Sequence, residues 1–423
     1  MNIDFNFFLG YFNFIVIPFY LVYRYKSNKL AIFLNPLLYL VIASYFYLTI
    51  SSFFFDSFIE AQVYFTPILG IVTTKSIAVT NLVSNWTVLV FLVFYYFSKD
   101  YETFLLLQYK PRGKTYQLAL FFCTISALVY ILIILFYGPE LFTSPRRASL
   151  ELYADLFRKF RLENFYILLL ASSTVLVWRS KSFRWYLVLL IPIIFGFLAK
   201  DRDLALQIII FCYLNFVCLT KKSHFSLLTT CLGFILLFGL VNNFKGSFLP
   251  RDYSIYNLLG EFFNTRVTSI IVYKNYLDYG DFFDYIKESI LNFFPSILTN
   301  FIFEQNTIDY HIQIKDYYNA VGINFGLAGN IVSEALFYGG VSFAFISPFI
   351  IGVIFYAINL LKLYRVFPGF VFLCILVAKL YVSMRSSFYD NFLDNIYLMF
   401  TYLLWLTLLE GNRRFYRINR KTR

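Results

Sequence analysis

An all-α polytopic integral membrane protein is the fold class this sequence predicts. Of 423 residues, 60% are hydrophobic and 14% charged, and mean hydropathy is +0.67. A soluble globule of this length needs more polar surface than that, whereas a lipid-facing surface needs none. Apolar runs of about 17 to 25 residues recur along the chain, the length at which a helix crosses a hydrocarbon core about 30 Å thick. Basic residues also collect in alternate connections, as membrane topology demands.

Taken in order, the runs place about eleven spans at 6–23, 30–54, 77–97, 117–137, 164–178, 185–199, 204–220, 225–243, 333–360, 368–384 and 392–410. The first carries Asp4 where a secretory leader has Lys or Arg, and no small-residue cleavage site follows, so it is expected to be retained. Basic segments separate the first span from the second (Arg24–Lys29), the third from the fourth (Ser98–Tyr116) and the fifth from the sixth (Arg179–Arg184). Lys221–His224 precedes the eighth span, Lys362–Arg365 the tenth, and Gly411–Arg423 follows the last. Cys123, Cys212, Cys218, Cys231 and Cys374 all lie inside apolar runs without CxxC or Cys/His spacing, so they read as small hydrophobes.

Those six basic segments hold about 20 of the 36 Lys and Arg but, with Glu410 at the edge of the last, only Asp100, Glu102 and Glu410 of the 24 acids. Placed on the cytoplasmic side they give the inside a charge near +17 and leave the remainder near −5. The net charge of +12 is therefore a positive-inside signature and excludes a nucleic-acid footprint, which needs basic residues clustered on a soluble module. This orientation puts the N-terminus in the periplasm and the C-terminus in the cytoplasm. It also puts Gly138–Glu163, the Lys200–Asp203 turn and the long 244–332 segment outside.

Three parts follow: spans one to eight over 1–243, a large partly helical periplasmic loop over 244–332, and the last three spans with a basic tail over 333–423. Within Arg146–Asn164, Leu152, Leu156, Phe157 and Phe160 recur at helical spacing opposite Arg158, Lys159 and Arg161, predicting an amphipathic helix in the headgroup plane. In the long loop, residues such as Phe262, Ile270, Phe282 and Phe293 recur too densely for a solvated tail, so the loop is expected to fold onto the membrane domain as two or three short helices. Pro295 is expected to end one of them.

Chemistry-bearing residues concentrate on the outer side. An arginine at the edge of a span, as Arg202 is, costs about 2.5 to 3.5 kcal/mol to insert and should face an aqueous cavity with a partner. Arg385, at the outer end of the tenth span, falls under the same argument, and Arg251 and Arg266 of the loop add two more. Four arginines on one side can satisfy a diphosphate by bidentate, charge-assisted hydrogen bonds without a metal; taken singly, each is as well explained by a structural ion pair. Glu334, where the loop turns into the ninth span, suits a general base acting on a sugar hydroxyl, or a salt bridge to one of the arginines. His311 is the competing base. Asp278, Asp281, Asp284 and Glu288 form an acidic helix face that reads as solvated, with an ion site as the minority reading. Asp201-Arg202-Asp203 contains a DxD string, but on a side where nucleotide sugars are absent. No Gly-rich phosphate loop follows a strand. Neither metal nor other cofactor is expected.

The stretch Gly322-Ile323-Asn324-Phe325-Gly326 and then Gly329-Asn330-Ile331-Val332-Ser333-Glu334-Ala335-Leu336-Phe337-Tyr338-Gly339-Gly340 resembles a segment of the bacterial oligosaccharide repeat-unit polymerases, the O-antigen polymerase (Wzy) family. There a serine-glutamate pair precedes an aromatic and glycine pair. Glu261 and Arg266, Phe294-Pro295, Arg202 after a mid-chain span, and Arg385 with Ser386-Ser387-Phe388 are similar too, although Asp201-Arg202-Asp203 departs from the family's SRG-like string. The resemblance implies a GT-C-like, metal-independent glycosyltransferase at the outer face of the inner membrane. Such an enzyme joins undecaprenyl-diphosphate-linked oligosaccharide repeats during surface polysaccharide biosynthesis, with a flippase and a chain-length regulator as partners. It implies diphosphate or glycan binding by Arg202, Arg251, Arg266 and Arg385, and a catalytic Glu334. An O-antigen ligase relying on His311, and a non-enzymatic lipid-linked oligosaccharide flippase, remain as alternatives.

Overall fold

The computed structural model describes residues 3–54, 73–100, 113–199, 201, 203–220, 265–274, 329–361 and 367–385. Among them the chain is all-helical, with no strand. In order, the longer helices are α1 (Ile3–Asn28), α2 (Pro36–Ser44), α3 (Thr74–Phe97), α4 (Gly113–Thr143), α5 (Arg146–Lys159), α6 (Leu162–Ser180), α7 (Leu190–Leu198), α8 (Asp203–Thr220), α9 (265–274), α10 (Ile331–Leu360) and α11 (Phe367–Arg385). A π-helical stretch, Tyr45–Ile50, and the turn Ser51–Phe53 continue α2.

Five stretches are long and apolar enough to cross a membrane: Pro36–Phe53, Thr74–Phe97, Thr115–Thr143, Ile331–Leu360 and Phe367–Met384. A sixth results if Ala148–Phe157 and Leu162–Ser180, bent by 72°, form one broken span. Phe183–Leu198 and Asp203–Leu219 are apolar but shorter. The expected spans at 225–243 and 392–410 lie outside the described residues. Several long apolar helices make this a membrane-embedded protein.

Two compact units divide the chain. The first comprises Met1–Glu102, Lys221–Lys362 and Lys379–Tyr397. In it α1 and α3 run parallel, in a register set by buried amides. Asn6 and Asn13, seven residues apart on α1, donate through Nδ2 to the carbonyls of Ala78 (3.0 Å) and Asn85 (2.8 Å), also seven apart on α3. Farther along both helices, Arg24 donates to the carbonyls of Tyr95 and Ser98 and pairs with Asp100 at 2.7 Å. The guanidinium lies 4.3 Å from the centre of the Tyr95 ring, a cation–π contact.

α10 is parallel to α3 as well. Trp86 Nε1 donates to the Phe345 carbonyl (3.1 Å), the rings of Phe94 and Tyr356 lie 6.2 Å apart, and Asn359 Nδ2 donates to the Lys99 carbonyl (3.2 Å). Gly352 permits this closeness, since a Cβ there would fall 2.2 Å from the Phe94 ring. α2 runs the other way: Asn35 Nδ2 reaches Ser98 Oγ (2.7 Å), while the Tyr45 hydroxyl, ten residues on, donates to the Phe14 carbonyl (3.2 Å).

The second unit comprises Thr103–Thr220, Leu363–Ala378 and Leu398–Arg423. The amphipathic helix expected over 146–164 forms as α5, but protein covers its apolar face. Tyr153 and Phe157 lie 5.1 and 6.1 Å from the Phe195 ring, and Leu156 is buried. The Tyr153 hydroxyl bonds the Asp201 carboxylate, which also accepts from the Asp203 N–H (3.1 Å) at the start of α8. Ring contacts worth about 0.5 to 1.5 kcal/mol each favour docking on α7 over lying free among headgroups. Deeper in the unit, Trp178 packs on Phe367 (5.5 Å) and Phe370 (5.1 Å) and donates to Asn215 Oδ1 (3.3 Å).

Burial differs sharply between helices. Only 33% of the apolar window of α4 is buried, leaving Leu128, Leu132, Leu135 and Phe136 on an open apolar face, which lipid tolerates and water would not. In α11 the share is 94%, so protein encloses that helix.

Replacing Gly352 by valine should drive a side chain into Phe94 and cost about 1 to 3 kcal/mol of stability. Thermal unfolding of the detergent-solubilised protein should register the loss, whereas Gly113→Ala, where a Cβ meets nothing within 4 Å, should leave the midpoint unchanged.

Candidate functional site

The sequence of α9, Thr-Arg-Val-Thr-Ser-Ile-Ile-Val-Tyr-Lys, is rich in β-branched residues and has little intrinsic helix propensity. Packing supplies what propensity lacks, for Thr265 through Val272 are all buried. Although α9 belongs to the expected 244–332 loop, it sits inside the first unit, gripping α3.

Arg266 makes that grip. Its side chain is fully buried. One terminal nitrogen donates to the Thr80 carbonyl (2.8 Å) and Ser84 Oγ (2.5 Å). The other donates to Thr80 Oγ1 (2.8 Å), Asn81 Oδ1 and, at 3.4 Å, the Ile77 carbonyl. Residues 77, 80, 81 and 84 share one face of α3, so the planar fork of guanidinium donors matches a polar stripe two turns long.

The carboxylate candidate is tied to the same place by Asn330, the cap of α10. Its Oδ1 accepts from the backbone N–H of Val332 and of Ser333 (both 2.9 Å) and from Ser269 Oγ (3.0 Å), while its Nδ2 donates to the Thr265 carbonyl (2.9 Å). Ser333 Oγ accepts in return from the Asn330 N–H (2.7 Å), completing a capping box. A single amide thus fastens the start of α10 to α9 next to Arg266. Glu334, in the first turn of α10, is fully buried near the positive end of the helix dipole, a position that favours a carboxylate.

Ile331 through Tyr338 are buried without exception, and then the helix breaks. Gly339 (φ −158°, ψ 23°) and Gly340 (φ 61°, ψ −160°) leave helical geometry. The Gly340 conformation is accessible essentially to glycine alone. Beyond it the helix resumes along α3. Glu334 therefore rides on a short segment held by α9, separate in direction from the longer segment held by α3.

Of the residues singled out in the sequence, Arg266 and Glu334 are brought to one end of the bundle of α1, α3 and α10. Arg385 is the last residue of α11, and its side chain lies outside the described residues, as do Arg202, Arg251 and His311 entirely. Sequence reasoning passed over the acceptors on α3, whose signal is the polar spacing Thr80, Asn81, Ser84. It also passed over Lys379, a buried cation inside the apolar run of α11.

Asn330→Ala should lose the cap, worth about 1 kcal/mol, together with both ties to α9. Amides of residues 331–338 should then exchange hydrogen faster, while those of the α10 segment along α3 keep their protection. In comparisons with known proteins, no family model, no curated protein and no solved structure matches this chain.

Proposed function

We propose that the chain is an oligosaccharide repeat-unit polymerase of the O-antigen (Wzy) type, a metal-independent glycosyltransferase acting on undecaprenyl-diphosphate-linked repeats at the outer face of the inner membrane. The observation that carries this reading is the convergence of Arg266 and Glu334, 68 positions apart in sequence, at one end of a bundle of apolar helices. The motif resemblance around Ser333-Glu334 and Glu261-to-Arg266 stands beside it. The parallel course of α1, α3 and α10 supports the topology, because alternation over eleven spans sends the first, third and ninth across in the same direction. With the basic connections inside, the Arg266 and Glu334 end faces the periplasm, where lipid-linked repeats are displayed.

In the reaction, an acceptor sugar hydroxyl attacks the anomeric carbon of the donor glycan. The bond from that carbon to the phosphate oxygen breaks, and undecaprenyl diphosphate leaves with the electron pair. Glu334 takes the hydroxyl proton. The donor is already activated, so the protein's task is to orient two lipid-linked glycans and stabilise the departing charge. Arg266 would exchange its neutral acceptors on α3 for anionic phosphate oxygens, which add ion pairing and a bidentate geometry to bonds whose donor is already charged. Arg202, Arg251 and Arg385 are the further candidates for the same diphosphate, and His311 the alternative base.

A strain lacking only this gene tests the reading through its surface polysaccharide. Core carrying a single repeat unit, with the ladder gone, is the expected profile. Core without any repeat, with polymer left on undecaprenyl diphosphate, would instead identify a ligase, and an untouched ladder would exclude both enzymes. In the complemented strain, Glu334→Gln should lower polymer formation by about 10²- to 10⁴-fold, the usual share of a general base. Arg266→Ala should abolish the ladder while Arg266→Lys, a point charge without the fork, restores part of it. Normal polymer from correctly inserted Glu334→Gln and Arg266→Ala proteins would remove both residues from the mechanism.

A further inference from the structure

Arg266 meets α3 with the N–H groups of both terminal nitrogens engaged. Each of these nitrogens carries two N–H groups in one rigid plane. Nη1 donates to the Thr80 carbonyl and to Ser84 Oγ. Nη2 donates to Thr80 Oγ1 and Asn81 Oδ1, and the Ile77 carbonyl shares one of its protons at 3.4 Å. A phosphate oxygen can therefore reach this end of the guanidinium only by taking the place of an acceptor that α3 supplies.

These acceptors are not equivalent. Thr80 and Ser84 are fully buried, whereas Asn81 and Ile77 are half-buried. The fork thus has a closed side, where Nη1 is anchored, and an open side, where Nη2 meets Asn81. Two of the Nη2 partners are fixed in place. Thr80 Oγ1 donates to the Ser76 carbonyl (2.7 Å), and the Ile77 carbonyl belongs to the helix backbone. Asn81 Oδ1 is the side-chain oxygen on the open side, and a turn about the asparagine side-chain bonds moves it without breaking a backbone hydrogen bond. Its charge matters as much as its place. A guanidinium in an apolar bundle needs acceptors at all times, and a neutral amide holds it less strongly than an anion does. An aspartate of the same shape would hold Arg266 as firmly as a phosphate and leave the phosphate nothing to gain.

We propose that Asn81 is an intrachain placeholder for the diphosphate. Its amide oxygen occupies the position on Nη2 that a phosphate oxygen takes, and it turns aside when lipid-linked substrate binds, while Thr80 and Ser84 keep hold of Nη1. The identity of the anion rests on the polymerase reading. Asn81 is a positioning residue that acts through Arg266 and sets affinity by competition. Its removal therefore strengthens binding, whereas removal of the Nη1 anchor weakens it.

Affinity for undecaprenyl diphosphate, measured on the purified full-length protein in detergent with undecaprenol as the uncharged control, tests that opposition of sign. The wild type should prefer the diphosphate by at least about tenfold. Asn81→Ala and Asn81→Leu should each bind it about three- to tenfold more tightly than the wild type, the worth of one competing hydrogen bond. Two neutral variants are used so that misfolding of one leaves the other to decide. Asn81→Asp should weaken binding by at least about tenfold, its carboxylate standing where the phosphate must go. Ser84→Ala should weaken binding by about three- to tenfold. Undecaprenol affinity should stay level throughout, which a general loosening of the bundle would not allow. Unchanged or weaker diphosphate binding in the folded neutral variants would overturn the placeholder and leave the polymerase reading standing, as would wild-type affinity in Asn81→Asp. Tighter binding in Ser84→Ala would overturn the division between the two sides of the fork. A wild type that binds undecaprenyl diphosphate no better than undecaprenol would sink this inference and the polymerase reading together.

Discussion

Polar side chains from three segments converge on α3, and the first unit depends on that convergence. In an apolar interior, donors that find no partner inside the protein find none at all. Asn6, Asn13 and Arg24 of α1, Arg266 of α9 and Asn359 of α10 all donate to groups on α3 or on the residues just after it. Each interhelical hydrogen bond is worth only about 0.6 kcal/mol on average, up to about 1.7. Their joint effect is on register. Shifting α1 along α3 by one residue would break both asparagine bonds and the Arg24 cluster at once, a penalty that no gain in apolar contact offsets, because hydrocarbon packing varies little with register and lipid competes for it on equal terms.

That constraint also accounts for the construction of the site. A β-branched segment with weak helix propensity becomes α9 because its arginine has a face of α3 to grip and its flank has Asn330 to meet. α10 then serves two masters, the cap on α9 at its start and the ring contacts with α3 along the rest of its length. One straight helix does not satisfy both, and Gly339 and Gly340 supply the break. Glu334 sits on the short side of it. A carboxylate carried by a segment of eight buried residues, oriented by an amide at one end and a glycine pair at the other, is held in place without help from the rest of α10. Such rigidity is useful where catalysis consists of orienting groups and stabilising charge.

How much of this was legible beforehand differs from residue to residue. Glu334 stood out because a carboxylate there enters an apolar run, and Arg266 because it is one of four arginines expected on the outer side. Short helices folded onto the membrane domain were expected of the loop, with Ile270 among the residues that implied them, but the partner of Thr265 to Lys274 was not legible, since the segment has the composition of a strand or a connection and only its neighbours fix it as a helix. The docking of α5 on Phe195 was not legible, because an amphipathic pattern fits a headgroup plane and a protein surface equally well. Lys379 was passed over because one lysine scarcely lowers the hydropathy of a long window, whereas burial at 7% exposes what its insertion must have required.

The sequence by itself determined that the chain lives in a membrane, where several of its apolar runs form long helices, and which residue types could carry charge chemistry. These are properties of composition and short-range spacing, and transfer from water to lipid acts on them nearly one residue at a time. Only the tertiary structure decided the register in which α1, α3 and α10 run side by side, that Arg266 reaches the 77–84 face of α3, and that Asn330 joins the two segments bearing Arg266 and Glu334. Those outcomes are pairings between groups dozens to hundreds of residues apart. Each donor had several acceptors open to it along the chain, and only the simultaneous satisfaction of all of them in a medium without water selects one arrangement.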